Sequence, residues 1–181
     1  MERLIFKEEQ SFRQSFVPWL MLATLLFMTG GFVVSFYQQL YLGNTSGNAK
    51  SDNELIWGSI ISFAVMSVVF LFILSRKLIT EIWTDGIRYR FSPFVRKTKH
   101  IPVNEIVSAE VARYKPLIEF GGWGVRKRIF SRKTAYNISG NVGLRLNLKN
   151  GSQVLFGTRK ENEMRRAVEK MMQRDKDKFA I

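Results

Sequence analysis

The residues with the clearest chemical potential in this 181-residue chain are clusters of lysine and arginine in its second half. Residues 76–181 carry 24 basic and 10 acidic side chains, whereas residues 1–75 carry 4 and 5. Basic clusters of this kind attract phosphates and the negative cytoplasmic face of a membrane, with about 1 kcal/mol for each Lys or Arg near the surface. The candidate residues for binding an anionic ligand or lipid are Arg96, Lys97, Lys99, Arg126, Lys127, Arg128, Arg132 and Lys133.

Other reactive side chains are scarce. The chain contains no cysteine, which excludes disulfides, thiolate metal sites and cysteine nucleophiles. His100 is the single histidine, and it lies in the basic run RKTKH with no acidic residue following before Glu105. This spacing does not support a Ser/His/Asp arrangement, and one histidine with isolated carboxylates does not make a metal site. We therefore expect no enzymatic activity, no catalytic residue, no metal and no cofactor.

Two apolar segments indicate where the basic part of the chain lies. No charged residue occurs between positions 14 and 49, and residues 16–42 are dominated by Phe, Leu, Met and Val. Residues 55–75 form a second charge-free segment that is apolar on every helical face. About 20 such residues suffice to cross a bilayer, and a helix that is apolar all round belongs in lipid or in a large core. The sequence predicts two transmembrane helices, joined by an external loop at 43–54.

The flanking charges predict the orientation of this helical pair. Arg76 and Lys77 follow the second segment, whereas the connecting loop contains only Lys50. Because positive residues resist translocation, Arg76 and Lys77 are the topology determinants, and both termini should be cytoplasmic. Residues 1–15 then form a cytoplasmic leader. A cleaved signal peptide is the competing interpretation, but this leader contains three glutamates and no small-x-small cleavage site follows the apolar run.

The remaining residues predict a cytoplasmic domain over 76–174 and a charged tail over 175–181. Short alternating runs are separated by Asx-Gly pairs at 85–86 and 150–151, which are strong β-hairpin signals. Apolar residues then recur with helical spacing at Met164, Ala167, Val168, Met171 and Met172. The predicted class is an α+β membrane protein, with a transmembrane hairpin followed by a bent antiparallel sheet or open barrel that a C-terminal helix caps.

Two sequence segments also resemble a known family. EFGGWGVR at 119–126, followed by KTAYNISGNVGLRLNLKNGSQVLFGT at 133–158, is similar to the signature of bacterial two-helix membrane proteins with a C-terminal pleckstrin-homology-like (PH-like) domain. The resemblance covers roughly residues 76–172. It implies a seven-stranded bent sheet with a C-terminal helix, in a protein of the bacterial inner or plasma membrane. It implies little about activity, because one fold hosts many functions.

These observations predict a membrane-anchored, non-enzymatic PH-like module. Its basic cytoplasmic face is expected to bind anionic lipid headgroups or a protein partner. Two alternatives remain open, a nucleic-acid-binding membrane protein and a scaffold subunit of a membrane complex. The excess of positive charge favours phosphates in general, but the sequence shows no recognition helix and no ladder of stacking aromatic residues.

Overall fold

The computed structural model describes residues 2–42, 52–128 and 131–179. The chain divides into two compact units. Residues 15–74 form one unit, which we call the helical hairpin, and residues 1–14 together with 75–181 form the other, which we call the β domain. Most of the external loop expected at 43–54 lies outside the described residues.

The helical hairpin consists of α1 (Val17–Leu42) and α2 (Asp52–Leu74), which pack against each other. Both helices are long and apolar enough to cross a membrane, over Val17–Gln38 and Trp57–Leu74, and almost none of either stretch is buried. The Thr24 and Thr29 hydroxyls in α1 donate to carbonyls four residues earlier, at 3.0 and 2.8 Å. Their polar groups are therefore satisfied within the helix.

The first sheet of the β domain is antiparallel and has four strands in the order β1-β2-β3-β4. These strands are β1 (Leu4–Ser11), β2 (Lys77–Trp83), β3 (Gly86–Ser92) and β4 (Val95–Pro102). Burial alternates along β2, where Leu78, Thr80 and Ile82 are buried and the residues between them are partly exposed. One face of this sheet therefore covers the core and the other faces solvent.

The second sheet has five strands in the order β5-β8-β9-β7-β6. Its strands are β5 (Ile106–Arg113), β6 (Gly124–Arg128), β7 (Lys133–Asn137), β8 (Val142–Leu148) and β9 (Gln153–Gly157). The β7–β9 pair is parallel and the other pairs are antiparallel. A short helix, α3 (Pro116–Phe120), connects β5 to β6, and α4 (Glu161–Phe179) follows β9.

The core of the β domain lies between these elements. Four side chains of α4 are buried, as their helical spacing predicts, and the helix packs on β1, β2, β5 and β8. These side chains are Met164, Ala167, Val168 and Met171. An aromatic cluster joins the two sheets, because Tyr89 of β3 lies 4.9 Å from Tyr136 of β7 and 4.8 Å from Phe156 of β9, measured between ring centroids.

The structure corrects the expected role of residues 1–15. Rather than forming a separate leader, residues 4–11 are β1, which pairs along β2 with Ser11 opposite Lys77. Phe6 and Phe12 are buried, at 7% and 4% exposure. A domain that began at residue 76 would lack an edge strand of its first sheet. In the sequence, the helical hairpin is therefore inserted between β1 and β2, two strands that pair directly with each other.

Three further details differ from the sequence prediction. The β strands form two sheets with one parallel pair, instead of a single antiparallel sheet. The first hairpin turns at residues 84–85, one position before the predicted Asp-Gly pair, because Trp83 pairs with Gly86. The C-terminal helix continues to Phe179, so residues 175–179 are not a separate tail. The predicted hairpin around 150–151 is confirmed by the antiparallel β8–β9 pair.

Candidate functional site: a basic surface on the β domain

The arginine expected only to set the topology, Arg76, lies within the β domain beside a candidate binding residue. Its guanidinium carbon is 5.6 Å from the ring centroid of Phe12 and 5.5 Å from that of Phe94. Burial first, and the charge of Arg126 second, lower the pKa of the Arg76 guanidinium. Arginine nevertheless stays charged at neutral pH, so the fold brings two positive charges together.

The guanidinium groups of Arg76 and Arg126 both lie beside the backbone of the GGWG segment. A Cβ atom added at Gly124 would lie 3.6 Å from Nη1 of Arg76, and one added at Gly122 would lie 3.4 Å from Nη2 of Arg126. Both glycines have positive φ angles, 114° and 120°, a conformation that residues with a Cβ rarely adopt. The GGWG segment therefore lies next to both arginine side chains, and its positive φ angles explain the glycines at 122 and 124.

A basic groove lies on the solvent-facing side of the first sheet. Its volume is about 280 Å³, and we call it the strand groove. It is lined by Ser75, Lys77, Ile79, Arg90, Ser92 and Arg96. Lys77 is neutralised by Glu9 at 2.5 Å. In contrast, neither Arg90 nor Arg96 forms an ion pair with any residue that the structure describes.

A second hollow of about 160 Å³ shares Ile79 and Arg90 with the strand groove, and its other cations are paired with acidic residues. Lys7 lies 2.8 Å from Glu81, and this contact lowers the pKa of the glutamate. Arg88 contacts both Glu2, at 2.6 Å, and Asp85, at 3.0 Å. The strand groove therefore has two unpaired cations, Arg90 and Arg96, for an anionic ligand, whereas the second hollow has Arg90 alone.

The β6–β7 hairpin carries five of the predicted candidates on exposed positions. These are Arg126, Lys127, Arg128, Arg132 and Lys133. Arg128 and Lys133 are direct cross-strand partners. Like charges in such a pair destabilise a sheet, so their placement favours a role in binding over a role in folding. The nearby contacts of Arg128 and Arg132 are with backbone carbonyl oxygens, of Glu119 at 3.3 Å and of Asn150 at 3.4 Å.

The remaining candidates lie on β4 and do not all share one surface. Arg96 lines the strand groove, and Thr98, two positions on, lines the adjoining hollow. Lys97 and Lys99 are exposed, but they occupy the alternate positions of the strand and so belong to its other face. The fold thus joins Arg96 with Lys77 and Arg90, and separates it from its neighbours in sequence.

The distinctive motif residues have structural roles. The Asn137 side chain is fully buried; its Oδ1 accepts a hydrogen bond from the Gly124 N–H at 2.8 Å, and its Nδ2 donates to the Tyr114 hydroxyl at 2.9 Å. A Cβ at Gly157 would lie 3.0 Å from the Asn137 Cβ. The GGWG, AYN and GT segments therefore meet at one buried asparagine. Trp123 completes this arrangement by donating from Nε1 to the Gly140 carbonyl at 3.0 Å.

His100 does have an acidic neighbour, although not one that its sequence spacing revealed. Its Nε2 lies 3.4 Å from Oδ2 of Asp85, the same oxygen that contacts Arg88. The histidine thus lies beside the Arg88–Asp85 ion pair at the turn between β2 and β3. Within the described residues, no group of three or more His, Cys, Asp or Glu side chains is placed to hold a metal ion.

Sequence reasoning missed two components of the surface. Arg90 was absent from the candidates because it is not part of a run of basic residues, although Arg88 and Arg90 alternate along one strand and hence share a face. The meeting of Arg76 and Arg126 had no sequence signal, because 49 residues separate them.

Comparison with family models, curated proteins and solved structures finds no match for this chain.

Proposed function

We propose that this protein is a membrane-anchored, non-enzymatic module whose β domain binds the anionic headgroups of the bilayer that its helices cross. One observation carries the proposal. The exposed cations Arg90, Arg96 and Arg126 have no ion pair within the described part of the chain, and they lie around Arg76 and Lys77, which follow α2 almost directly. Uncompensated cations beside a membrane span suit a negative leaflet.

The exposure of α1 and α2 supports the membrane part of the proposal. A core helix of a soluble protein would be mostly buried, whereas almost none of the residues in these two apolar stretches is buried. A cleaved signal peptide would carry β1 away with α1, and with it the buried side chains of Phe6 and Phe12. Tyr37 and Tyr41, stacked 5.0 Å apart near the end of α1, suit a membrane interface.

The orientation follows from the same charges. The β domain carries the basic excess, and positive segments stay on the cytoplasmic side. Both termini belong to this domain, so both are cytoplasmic in our proposal. A C-terminal helix packed on strongly paired β sheets is compatible with a PH-like domain of a bacterial inner membrane protein. The nine strands found in the described part of the chain, and the parallel β7–β9 pair, are departures from the seven antiparallel strands that the resemblance implied.

Weak individual contacts suffice for this function because the domain is tethered. Linking a module to the membrane makes its headgroup contacts effectively intramolecular, at an effective concentration of about millimolar for short connections. The connections are short, because β1 ends at Ser11 and α1 begins at Val17, while α2 ends at Leu74 and β2 begins at Lys77. Three engaged arginines would contribute about 3 kcal/mol at low salt.

Energy transfer in nanodiscs tests the proposal on the full chain. Because the protein has no cysteine, Ser131→Cys beside the β6–β7 hairpin accepts a single donor dye. Nanodiscs of phosphatidylcholine, with or without phosphatidylglycerol, carry an acceptor dye on a small share of headgroups. If the β domain docks, energy transfer should be higher in anionic discs than in neutral discs. This difference should decrease as salt is added, because the screening length falls to about 8 Å near 0.15 M.

A matched pair of triple variants separates specific contacts from net charge. Arg90→Gln, Arg96→Gln and Arg126→Gln together should abolish most of the gain in transfer. Arg166→Gln, Lys170→Gln and Arg174→Gln remove the same charge from exposed positions of α4 and should preserve it. Equal transfer in neutral and anionic discs would reject lipid binding and leave an acidic protein partner as the better explanation of the same cations.

A further inference from the structure

Two adjacent aliphatic side chains project from the short helix α3. Leu117 and Ile118 are 66% and 74% exposed. Among the described residues of the β domain, they are the only consecutive large apolar side chains with such exposure. We call this pair the α3 tip. Large exposed apolar side chains next to each other indicate contact with a partner surface or a membrane.

The α3 tip is presented by a well-bonded turn. The Gly121 and Gly122 N–H groups donate to the carbonyls of Leu117 and Pro116, both at 2.9 Å. The Lys115 N–H donates to the Glu119 carboxylate at 2.8 Å. The preceding and following aromatic residues, Tyr114 and Phe120, are buried against each other with ring centroids 6.1 Å apart. The fold therefore holds the two aliphatic side chains outward.

The surroundings of the α3 tip are basic. Arg113 and Lys115 are exposed on its N-terminal side, and the Arg128 guanidinium contacts the Glu119 carbonyl oxygen at 3.3 Å. Glu119 is the one acidic residue of α3, and its carboxylate is paired with Arg145 at 3.0 Å. An apolar tip flanked by exposed cations complements an anionic bilayer, whose headgroups are negative and whose interior is apolar.

The α3 tip is also continuous with the basic surface described above. α3 contacts β6, and the guanidinium groups of Arg126 and Arg76 lie beside the backbone at Gly122 and Gly124, just after α3. Arg76 is two residues beyond Leu74, the last residue of α2, a separation that about 7 Å of extended chain can span. One end of this surface is therefore close in the sequence to the end of α2.

We infer that Leu117 and Ile118 insert into the boundary between headgroups and acyl chains of the anionic bilayer in which the protein is anchored. This inference rests on the proposed function and adds to it which residues enter the bilayer and how deeply they insert. An apolar face at such a boundary lies about 5–10 Å into the bilayer, and flanking cations contact the headgroups. The tip thereby fixes how the tethered domain docks.

Depth-dependent quenching on the full chain tests this inference. An environment-sensitive dye attached to Ile118→Cys is compared with the same dye on Val107→Cys, a 61% exposed residue of β5. Nanodiscs contain phosphatidylcholine alone or with phosphatidylglycerol, and lipids with a nitroxide on the acyl chain act as quenchers. Insertion predicts at least about twofold stronger quenching at position 118 than at 107 in anionic discs, and little in neutral discs.

The outcomes distinguish this inference from the proposed function. A salt-sensitive gain in transfer at Ser131 without quenching at position 118 would overturn insertion and leave lipid binding intact. Absence of both signals would reject the proposed function itself. Equal quenching at position 118 in neutral and anionic discs would overturn the inference that the flanking cations direct the α3 tip into an anionic bilayer.

A second variant addresses the alternative that the α3 tip contacts another copy of this chain. The double variant Leu117→Ser/Ile118→Ser changes exposed positions only, so its thermal midpoint should equal that of the parent. If the tip inserts, the increase in energy transfer that anionic discs cause at the Ser131→Cys probe should fall at least about twofold. Self-association of the parent in detergent that disappears in this variant would overturn the inference and assign the face to a second copy.

Discussion

The Thr158 hydroxyl donates a 2.6 Å hydrogen bond to the carboxylate of Glu8, 150 positions earlier in the chain. Glu8 also accepts from the Arg159 N–H at 2.9 Å and from the Gln10 side chain at 3.0 Å, and it is only 5% exposed. The strand before the first apolar helix is therefore fastened to the residues just before the last helix. This contact joins the two segments of the β domain that the helical hairpin separates in the sequence.

Removing the Glu8 carboxylate should destabilise the β domain strongly. Glu8→Ala leaves the buried Thr158 hydroxyl and the Arg159 N–H without their acceptor, so the free energy of unfolding should fall by about 2–4 kcal/mol. Glu9→Ala is the matched control, because that half-exposed residue makes a surface ion pair worth about 0–1 kcal/mol. Denaturant titration of the full chain in detergent measures both. Similar losses in the two variants would contradict the buried connection.

The β domain should fold without the helices, provided that β1 is retained. Phe12 N–H donates to the Arg76 carbonyl at 3.2 Å, so residues 14 and 75 can be joined by a short Gly-Ser linker. This fusion should unfold in one cooperative transition, whereas residues 76–181 alone should show a lower midpoint or no transition, because β2 loses its partner. Circular dichroism during heating distinguishes the two. Equal midpoints would return residues 1–14 to the role of a separate leader.

Asn137 should be required for folding and not for lipid contact. Asn137→Ala leaves the Gly124 N–H and the Tyr114 hydroxyl without their partner, which should cost about 2–4 kcal/mol of stability. Asn147→Ala, at an exposed position, should cost less than about 1 kcal/mol. Thermal unfolding measures both. If Asn137→Ala, measured at a temperature at which it is folded, lost the energy transfer to anionic discs, Asn137 would belong to the binding surface.

The pairing of Arg128 with Lys133 predicts opposite effects on stability and on lipid contact. Lys133→Glu replaces a like-charge cross-strand pair with an attractive one and should stabilise the domain by about 0.5–1 kcal/mol. The same change should weaken docking to anionic discs, because it replaces a cation with an acid. Denaturant midpoints and transfer from the Ser131 probe measure the two effects. A loss of stability would show that the two charges are compensated within the fold.

Tyr89 should limit the stability of the domain at alkaline pH. Burial first, and a hydrogen bond with Tyr136 second, raise the pKa of Tyr89 well above its ordinary value of 10. Because its pKa is higher in the folded than in the unfolded state, Tyr89 ionises first in the unfolded state. Its contribution to the free energy of unfolding is therefore complete below pH 10 and is lost as the pH rises further. Tyr89→Phe should flatten this decline, measured as the denaturant midpoint from pH 9 to 11. An unchanged slope would assign the decline to other groups.

Local pattern determined much of this structure in advance. Apolar runs of sufficient length predicted α1 and α2, the Asn150-Gly151 pair predicted the β8–β9 hairpin, and helical spacing predicted the buried face of α4. Each of these features depends on residues within a few positions of one another. Their signals therefore survive in the sequence without knowledge of the fold.

Only the tertiary structure decided the place of residues 4–11 and the shape of the basic surface. The inward positions of β1 include Phe6, Glu8 and Gln10, so its alternation is not hydrophobic and was read as a polar leader. The two polar side chains are tolerated inside because Thr158 and the carbonyl of Gly157 bind them. Likewise, the meeting of Arg76 with Arg126 depends on how two sheets pack, and no local spacing encodes contacts between residues so far apart in the chain.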